Sequence, residues 1–463
     1  MEHTRLDVDR KSDLNKEAVC HDESKSSWFG WVREVSRYQW LVLIVAWLGW
    51  VFDAMDGALS SLVQTPAMLD LMGQATPAGT IGFYAGVISS LMLVGWALGG
   101  IGFGIFADYL GRTKALIITI LIYAVFTGLS ALAETWWQLA ALRFITGLGL
   151  GGEWAAGAAL VAEVWPNRLR ARAGAILQAA GAGGFFLAAL VNLVVGVHSW
   201  RYVFIVGAAP ALLVLLVRMV VKEPETWTIV RERRRQAKRL GRSGSAGELN
   251  VFTLKQLFGP ALRRDTIVAS ALAFVALLGV WGGTMWIPAA IRELSAGGAT
   301  GFGVEETKRF LAERASYAMM LVNGGSLIGN VLFGPVADWK GRRPAFFIFF
   351  SAAIVLFPIT FLITSNLTYI FLLLPVLGFF AQGLMSGFPI YLPELFPTHV
   401  RTTGVGFCYN LGRFVTAGGV FIVGYLVGLF GSYAKAASAV SLVFIIGLGI
   451  LAFARETKGE TLK

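Results

Sequence analysis

Glu163-Val164-Trp165-Pro166-Asn167-Arg168-Leu169-Arg170 is answered 231 residues later by Glu394-Leu395-Phe396-Pro397-Thr398-His399-Val400-Arg401. Glu, Pro and the last Arg coincide at that single offset. Gly147/Gly378, Gly152/Gly383, Gly181/Gly412 and Glu225-Thr226/Glu456-Thr457 fall on it too. Asp108-x-x-Gly111-Arg112 recurs one residue off register as Asp338-x-x-Gly341-Arg342. The chain therefore consists of two similar halves in tandem.

Both halves are very apolar. The 463 residues are 56% hydrophobic and only 14% charged, against roughly 25% charged in a soluble protein. Apolar runs near the length needed to cross a ~30 Å hydrocarbon core recur along the chain. Twelve spans are expected, at 40–63, 83–106, 115–134, 138–162, 172–196, 201–221, 266–290, 315–337, 345–364, 368–392, 402–428 and 434–454. Backbone polar groups cannot go unpaired in lipid, so these segments must be helices. The alternation of a membrane barrel is absent. The expected fold is an all-α membrane protein of twelve transmembrane helices in two pseudo-symmetric six-helix bundles. Its parts are a tail (1–39), an N-terminal bundle (40–221), a linker (222–265), a C-terminal bundle (266–454) and a short tail (455–463).

The net charge of +11 would suit a nucleic-acid partner, but the distribution of charge argues otherwise. Most Lys and Arg lie in the N-tail, the even-to-odd loops, the linker and the C-tail. This positive-inside bias puts both termini and the linker in the cytoplasm, and the chain in the plasma (inner) membrane. The basic run from Arg231 to Arg242 reads as a solvated or lipid-headgroup face, and Arg242–Gly247 as the flexible part of the linker. Cys20 and Cys408 lie in different environments and predict no disulfide. The first 37 residues lack the apolar core of a signal peptide. Asn366-Leu367-Thr368 spells a glycosylation sequon in a loop too short to use it. Gly147-x-Gly149-x-Gly151-Gly152 lies inside a span, where it suits helix packing rather than a nucleotide. Four scattered histidines, with no metal or nucleophile constellation, argue against an enzyme. No cofactor, metal or ATP is expected. The partners implied are the bilayer, a small substrate and protons, with the monomer as the working unit. Paired six-helix halves suit a carrier that rocks about a central site.

Gly104-x-x-x-Asp108-x-x-Gly111-Arg112-Thr113-Lys114 and Gly334-x-x-x-Asp338-x-x-Gly341-Arg342-Arg343 resemble the loop 2–3 and loop 8–9 motifs of the major facilitator superfamily. The resemblance covers residues 40–460. The Pro-Glu-Leu-Phe-Pro-x-x-x-Arg stretch, Lys222–Thr226 and Glu456–Leu462 resemble its sugar-porter-like branch. Leu148–Trp154 and Asp53-x-x-Asp56 resemble organic-acid/proton symporters, the sialate and aromatic-acid groups among them. Asp108, Arg112, Glu163 and Arg170, with Asp338, Arg342, Glu394 and Arg401, all fall at cytoplasmic helix ends. Pairing among them would hold that side shut. The alternative is a set of fixed structural ion pairs. A few charge-assisted bonds of ~1.5–3 kcal/mol each suit a two-state gate.

Laid over itself at 231, the chain shows charges present in one half only. Asp53 faces Thr284 in the repeat, Asp56 faces Ile287, Arg143 faces Leu374, Glu153 faces Leu384 and Arg413 faces Ala182. Within a membrane each costs at least ~2.5–3.5 kcal/mol, so each should be paired, face a cavity or do chemistry. Asp53 and Asp56 share a helix face. Two close carboxylates do not readily both ionise, so they are candidates for proton coupling, with Glu153 as a further site. The alternative for the pair is a salt-bridge anchor to Arg143. Arg143 and Arg413 come from opposite halves and could fork onto a carboxylate. Arg143 also resembles a helix-4 arginine of the superfamily, which implies a structural or relay role. Gln178, Trp281, Asn323, Gln382, Tyr409 and Asn410 could complete a substrate site. The function expected is import of a small carboxylate by proton symport. A sugar or polyol porter remains open. A drug exporter is disfavoured because residues 174–184 lack the Gly-Pro step of the family's antiporters.

Overall fold

The computed structural model describes residues 30–196, 198–210, 212, 217, 220–240, 252–284, 286–299, 303–364 and 366–462. Every regular element among them is helical. The first half contains α1 (Arg37–Met72), α2 (Ala78–Leu110), α3 (Arg112–Ser130), α4 (Trp136–Val164), α5 (Arg170–Val191) and α6 (Trp200–Gly207). The linker contributes α7 (Glu225–Leu240) and α8 (Thr253–Leu257). The second half contains α9 (Arg263–Thr284), α10 (Ile287–Ser295), α11 (Val304–Lys340), α12 (Arg342–Pro358), α13 (Leu367–Ala381), α14 (Gly387–Leu395), α15 (Arg401–Phe430), α16 (Tyr433–Ser441) and α17 (Val443–Leu451).

Ten stretches of described helix are long and apolar enough to cross a bilayer. Of the two remaining expected spans, 402–428 lies within α15, and 201–221 begins in α6 and runs largely through residues outside the described set. Hydropathy marks the lipid-buried window rather than the helix. The 36 residues of α1 and 37 of α11 reach about 54–56 Å at 1.5 Å per residue, well past the apolar core. The span expected at 368–392 is interrupted, because a 3-10 turn over Gly383–Ser386 separates α13 from α14. Span 266–290 is likewise divided into α9 and α10, with a proline in the first turn of α10. Asn366, the sequon residue, caps α13 by accepting from the Thr368 N–H at 2.8 Å.

The chain falls into two compact units, Met1–Trp40 and Leu41–Lys463. In the first, a 3-10 turn covers Gly30–Glu34, and the Trp31 and Trp40 rings lie 5.9 Å apart. The second holds both helical halves. Glycine fixes its closest seams. A Cβ on Gly95 or Gly99 would overlap the carbonyls of Phe144 and Leu148, and one on Gly147 or Gly151 the carbonyls of Met92 and Trp96, so α2 and α4 meet backbone to backbone. The repeat reproduces this between α11 and α13, where Gly325, Gly329 and Gly378 meet the carbonyls of Pro375, Phe379 and Val322. Lipid offers no hydrophobic drive between helices, so such close packing holds them.

Gly111 and Gly341 have φ of 116° and 107°. They turn α2 into α3 and α11 into α12 through a conformation that L side chains avoid. The space a Cβ would occupy is filled by the carboxylates of Glu223 and Glu456. These cap the next helices, Glu223 accepting from the N–H groups of Thr113 and Lys114 and Glu456 from those of Arg342 and Arg343. The structural counterpart of Glu456 is thus Glu223, not the Glu225 that the 231-residue register selects, since the backbone slips by two before α7 begins. Gly99→Val and Gly329→Val are each expected to destabilise the fold by about 1–3 kcal/mol through overpacking. Gly102, with nothing near its Cβ position, should accept Ala without loss. Thermal unfolding in detergent checks both expectations, and equal melting of all three variants would contradict this account of the seams.

Candidate functional site

One end of the bundle carries the two glycine turns, the starts of α5 and α15 and the linker helices, and is here termed the basic end. Glu163, at the end of α4, accepts from Arg112 Nη2 at 2.9 Å and from Arg401 Nη1 at 2.7 Å, one guanidinium from each half. Arg112 Nη2 also donates to the Thr398 carbonyl at 2.6 Å. Asp108 reaches across to the N-terminus of α15. Its carboxylate accepts from the N–H of Thr402 at 3.2 Å and of Thr403 at 2.8 Å, and from the Thr403 hydroxyl at 2.7 Å. Free N–H groups and the positive end of the helix dipole make that a natural carboxylate site.

The second half repeats the arrangement. Arg342 forks onto Glu394 at 2.9 and 2.7 Å, Arg170 of the first half lies 3.7 Å from the same carboxylate, and Arg172 lies 3.5 Å from Asp338. Each repeated glutamate therefore takes one arginine from its own half and one from the other. Thr226 and Thr457, related by the repeat, donate to Glu163 and Glu394 respectively.

The linker joins this end directly. Arg234 on α7 donates to the carbonyl of Asp108 at 2.8 Å and of His399 at 2.6 Å, so one guanidinium bridges the halves. Its plane lies over the Tyr109 ring, and Trp227 Nε1 adds a bond to the Asp108 carbonyl at 3.2 Å. Residues before α9 dock on the same seam: the Thr253 N–H donates to the Tyr109 hydroxyl, and Gln256 pairs with His399 Nε2 at 2.9 Å. The expectation of a solvated basic face is therefore corrected for Arg234, which is partly buried between the halves. Burial, with Arg234 and Arg401 nearby, pushes His399 down to about 4, so its ring is neutral at pH 7.

Deeper in the bundle the five unmatched charges separate into two groups. Arg143 and Asp56 form a buried ion pair at 3.2 Å within the first half. Arg143 also donates to Thr127, Ser130 and Thr146, and Thr127 donates to Asp56 at 2.6 Å. Every nitrogen of that guanidinium is engaged, and its face covers Phe204 at 4.6 Å. Asp53 is fully buried, and neither of its oxygens has a hydrogen-bond partner among the described residues. The charged groups acting on it are Glu153, Arg413 and Asp56. Glu153 is also buried, with Oε2 unpartnered and Oε1 lying where a Cβ of Gly49 would be. The Tyr123 hydroxyl lies beside Glu153 without the geometry of a hydrogen bond. Arg413, from the second half, forms no ion pair among the described residues. It lies over Trp96 at 4.3 Å and Tyr409 at 5.2 Å, and Nη1 donates to Asn410 Oδ1 at 3.5 Å.

The other expected residues have differing places. Gln178 accepts from Trp154 Nε1 at 3.3 Å, and the Trp154 ring stacks on Tyr409 across the halves at 4.0 Å. Asn410 is packed against Gly100 and donates to the Gly406 carbonyl at 2.9 Å. Asn323 and Gln382 are half-buried in the second half, and Gln382 sits at the break after α13. Trp281 is 47% exposed on α9. Three tryptophans near the buried charges were missed: Trp50, Trp96 and Trp154. Their helices also carry glycines at contact positions, a signal consistent with rings lodged between close backbones but too general to select them.

Residues 40–415 match the family described as Major Facilitator Superfamily. The chain is 31% identical over 403 residues to a Cupriavidus pinatubonensis protein named "Probable 4-methylmuconolactone transporter", covering 86% of each. It is 28% identical over 403 residues to "Sialic acid transporter NanX" of Escherichia coli, covering 87% of this chain and 90% of that one. The solved proton:xylose symporter XylE, bound to 6-bromo-6-deoxy-D-glucose, matches with a TM-score of 0.73 over 92% of this chain and 98% of that one. At 19% identity this is a likeness of fold. It gives the partly described sixth span, and the eleventh within α15, their place in a twelve-helix, two-bundle architecture. The chain belongs to the Major Facilitator Superfamily and is a membrane transporter rather than an enzyme.

Proposed function

We propose that the protein imports a small organic carboxylate together with protons by alternating access. The observation that carries this reading is the contrast between two sets of buried charges. Those at the basic end, and Asp56 with Arg143, are answered by ion pairs. Asp53, Glu153 and Arg413 lie together near the seam between halves, and their charges are not. A guanidinium with no contact ion pair among the described residues is suited to a carboxylate that arrives and leaves. Two neighbouring buried acids, Asp53 with neither oxygen and Glu153 with Oε2 unpartnered among the described residues, are suited to carrying a proton. The name of one relative, a sialic acid transporter, supports an anionic cargo. A sugar porter would leave Arg413 without a task.

The basic end is the cytoplasmic side in this reading, and it is closed. With the site facing outward, Asp53 and Glu153 take up a proton, which frees Arg413 for the cargo's carboxylate. Bound cargo and neutral acids leave little net charge in the site, so the halves can rock. The shared bonds of Glu163 and Glu394, the Asp108 cap on α15 and the Arg234 bridge then break. At the higher cytoplasmic pH the acids ionise and compete for Arg413, which expels the anion. Asp56, held in its ion pair with Arg143, positions α1 against α4. Asn323 and Gln382 contribute polar contacts from the second half.

Asp53→Asn should cut proton-driven uptake into liposomes at least tenfold while sparing anion exchange at equal pH, followed with a lumenal pH dye. Undiminished uphill uptake would place the coupling elsewhere. Arg413→Lys loses the fork and should weaken anion affinity by about tenfold; unchanged affinity would make Arg413 structural. Arg234→Ala removes the linker's bridge and spares the ion pairs. It should raise thiol labelling of a cysteine placed at Thr402 severalfold in otherwise cysteine-free protein, and equal labelling would deny the linker a part in closure.

A further inference from the structure

Glu153 sits in a socket made by two glycines and a tyrosine. Gly149 precedes it by one turn on α4, and a Cβ there would strike the Tyr123 backbone nitrogen and the Thr119 carbonyl, so α3 and α4 close up at this level. That approach brings the Tyr123 hydroxyl, buried and unpartnered among the described residues, beside the Glu153 carboxyl. On the opposite side Gly49 of α1 leaves the space that Glu153 Oε1 occupies. Asp53 follows Gly49 by one turn of α1, which makes the two carboxyls neighbours. The cations are placed unequally about them. Arg143 is engaged by Asp56, Thr127, Ser130 and Thr146 within the first half. Arg413 arrives from the second half and acts on Asp53, with the titratable Tyr409 ring against it. Glu153 forms no ion pair among the described residues, and the groups acting on it are the Tyr123 hydroxyl and Asp53.

In the proposed cycle the two acids act together. We infer that they divide the work: Glu153 keeps a proton throughout, positioned by Tyr123, and Asp53 alone exchanges, one proton for each carboxylate carried. This rests on the reading that Arg413 takes the cargo. A buried carboxylate that no cation answers loses its charge by binding a proton, and Arg413 carries charge enough for one carboxylate at a time. In the empty carrier that carboxylate is Asp53. In the loaded carrier it is the cargo's, and Asp53 holds a proton taken from the outer side. Neither state leaves a net charge around Arg413. They differ by one O–H bond, formed at Asp53 with a proton from outer water and broken by release of that proton to inner water. Import of a monovalent carboxylate is then electroneutral. If Glu153 exchanged as well, the empty carrier would bury an unanswered negative charge and each anion would bring two protons. A tyrosine hydroxyl suits a permanently neutral acid, since it can pair with the acid's O–H or C=O and adds no charge.

The test is infrared difference spectroscopy between pH 5 and pH 9 on the full-length, cargo-free protein in lipid nanodiscs, which reads the C=O stretch of protonated carboxyls. One band, assigned by its loss in Glu153→Gln, should persist across the whole range. A second, assigned by its loss in Asp53→Asn, should vanish as the pH rises. Tyr123→Phe should shift the Glu153 band by removing its hydrogen-bonding neighbour and leave the Asp53 band in place, which also shows that the variant is folded. An unmoved Glu153 band would deny Tyr123 the positioning role. A Glu153 band that fades together with that of Asp53 would overturn the inference and leave the proposed coupling standing, because both acids would then exchange. An Asp53 band that never titrates would remove the coupling reading and this inference with it.

Discussion

An ion placed in hydrocarbon costs at least ~2.5–3.5 kcal/mol even on lenient insertion scales, and this chain buries many. Most of the arrangement follows from how each is answered. Glu163 shows the commonest solution: one carboxylate oxygen accepts from Arg112 of its own half and Arg401 of the other. Neither half satisfies all of its charges alone, so in the proposed cycle closure of the basic end and neutralisation of its ions are the same event. In that cycle opening would re-solvate or re-pair these groups, which would give the closed state a defined barrier rather than a continuum of looser forms.

The repeat makes this possible in duplicate. Glu163 and Glu394 occupy related positions and receive related pairs of arginines, and Glu223 and Glu456 cap related helices behind glycines of positive φ. The linker adds a tie that the repeat does not contain. Arg234 takes two carbonyls at the seam, one from each half, so the segment joining the bundles also helps to hold them together. Farther in, the symmetric ties stop. There the unmatched Asp53, Glu153 and Arg413 meet aromatic rings from both halves, and the proposed function assigns cargo and protons to this level.

The halves, their spans and the inter-half ion pairs were legible because they rest on period and repetition: apolar windows set the spans, and one offset aligned the motifs. The unmatched charges were legible for the opposite reason, as failures of that offset. Which carboxylate would find a partner was not legible. Asp53 and Asp56 are one helical turn apart with the same chemistry, and only the packing of α3 and α4 decides that Asp56 meets Arg143 and Thr127 while Asp53 meets neither. Arg234 was hidden for a similar reason. In Arg231-Glu232-Arg233-Arg234-Arg235 every residue looks solvated, and the rotation of α7, set by Trp227 docking on Asp108, turns one of them inward. The tryptophans near Arg413 escaped because an intramembrane Trp usually serves packing or a headgroup belt, and no sequence period separates those roles from a binding face.

The central claim is that the shared bonds of Glu163 tie the two halves at the basic end and must break for the carrier to open there. Lys114 and Lys340 are exposed residues of opposite halves at that end and accept spin labels after replacement by cysteine. Pulsed electron–electron distance measurement between them in lipid reads the separation directly. The expected result is one dominant short distance with Glu163 intact and a second, longer population when Glu163→Gln removes the charge that both arginines share. An unchanged single distance in the Glu163→Gln protein would contradict the claim.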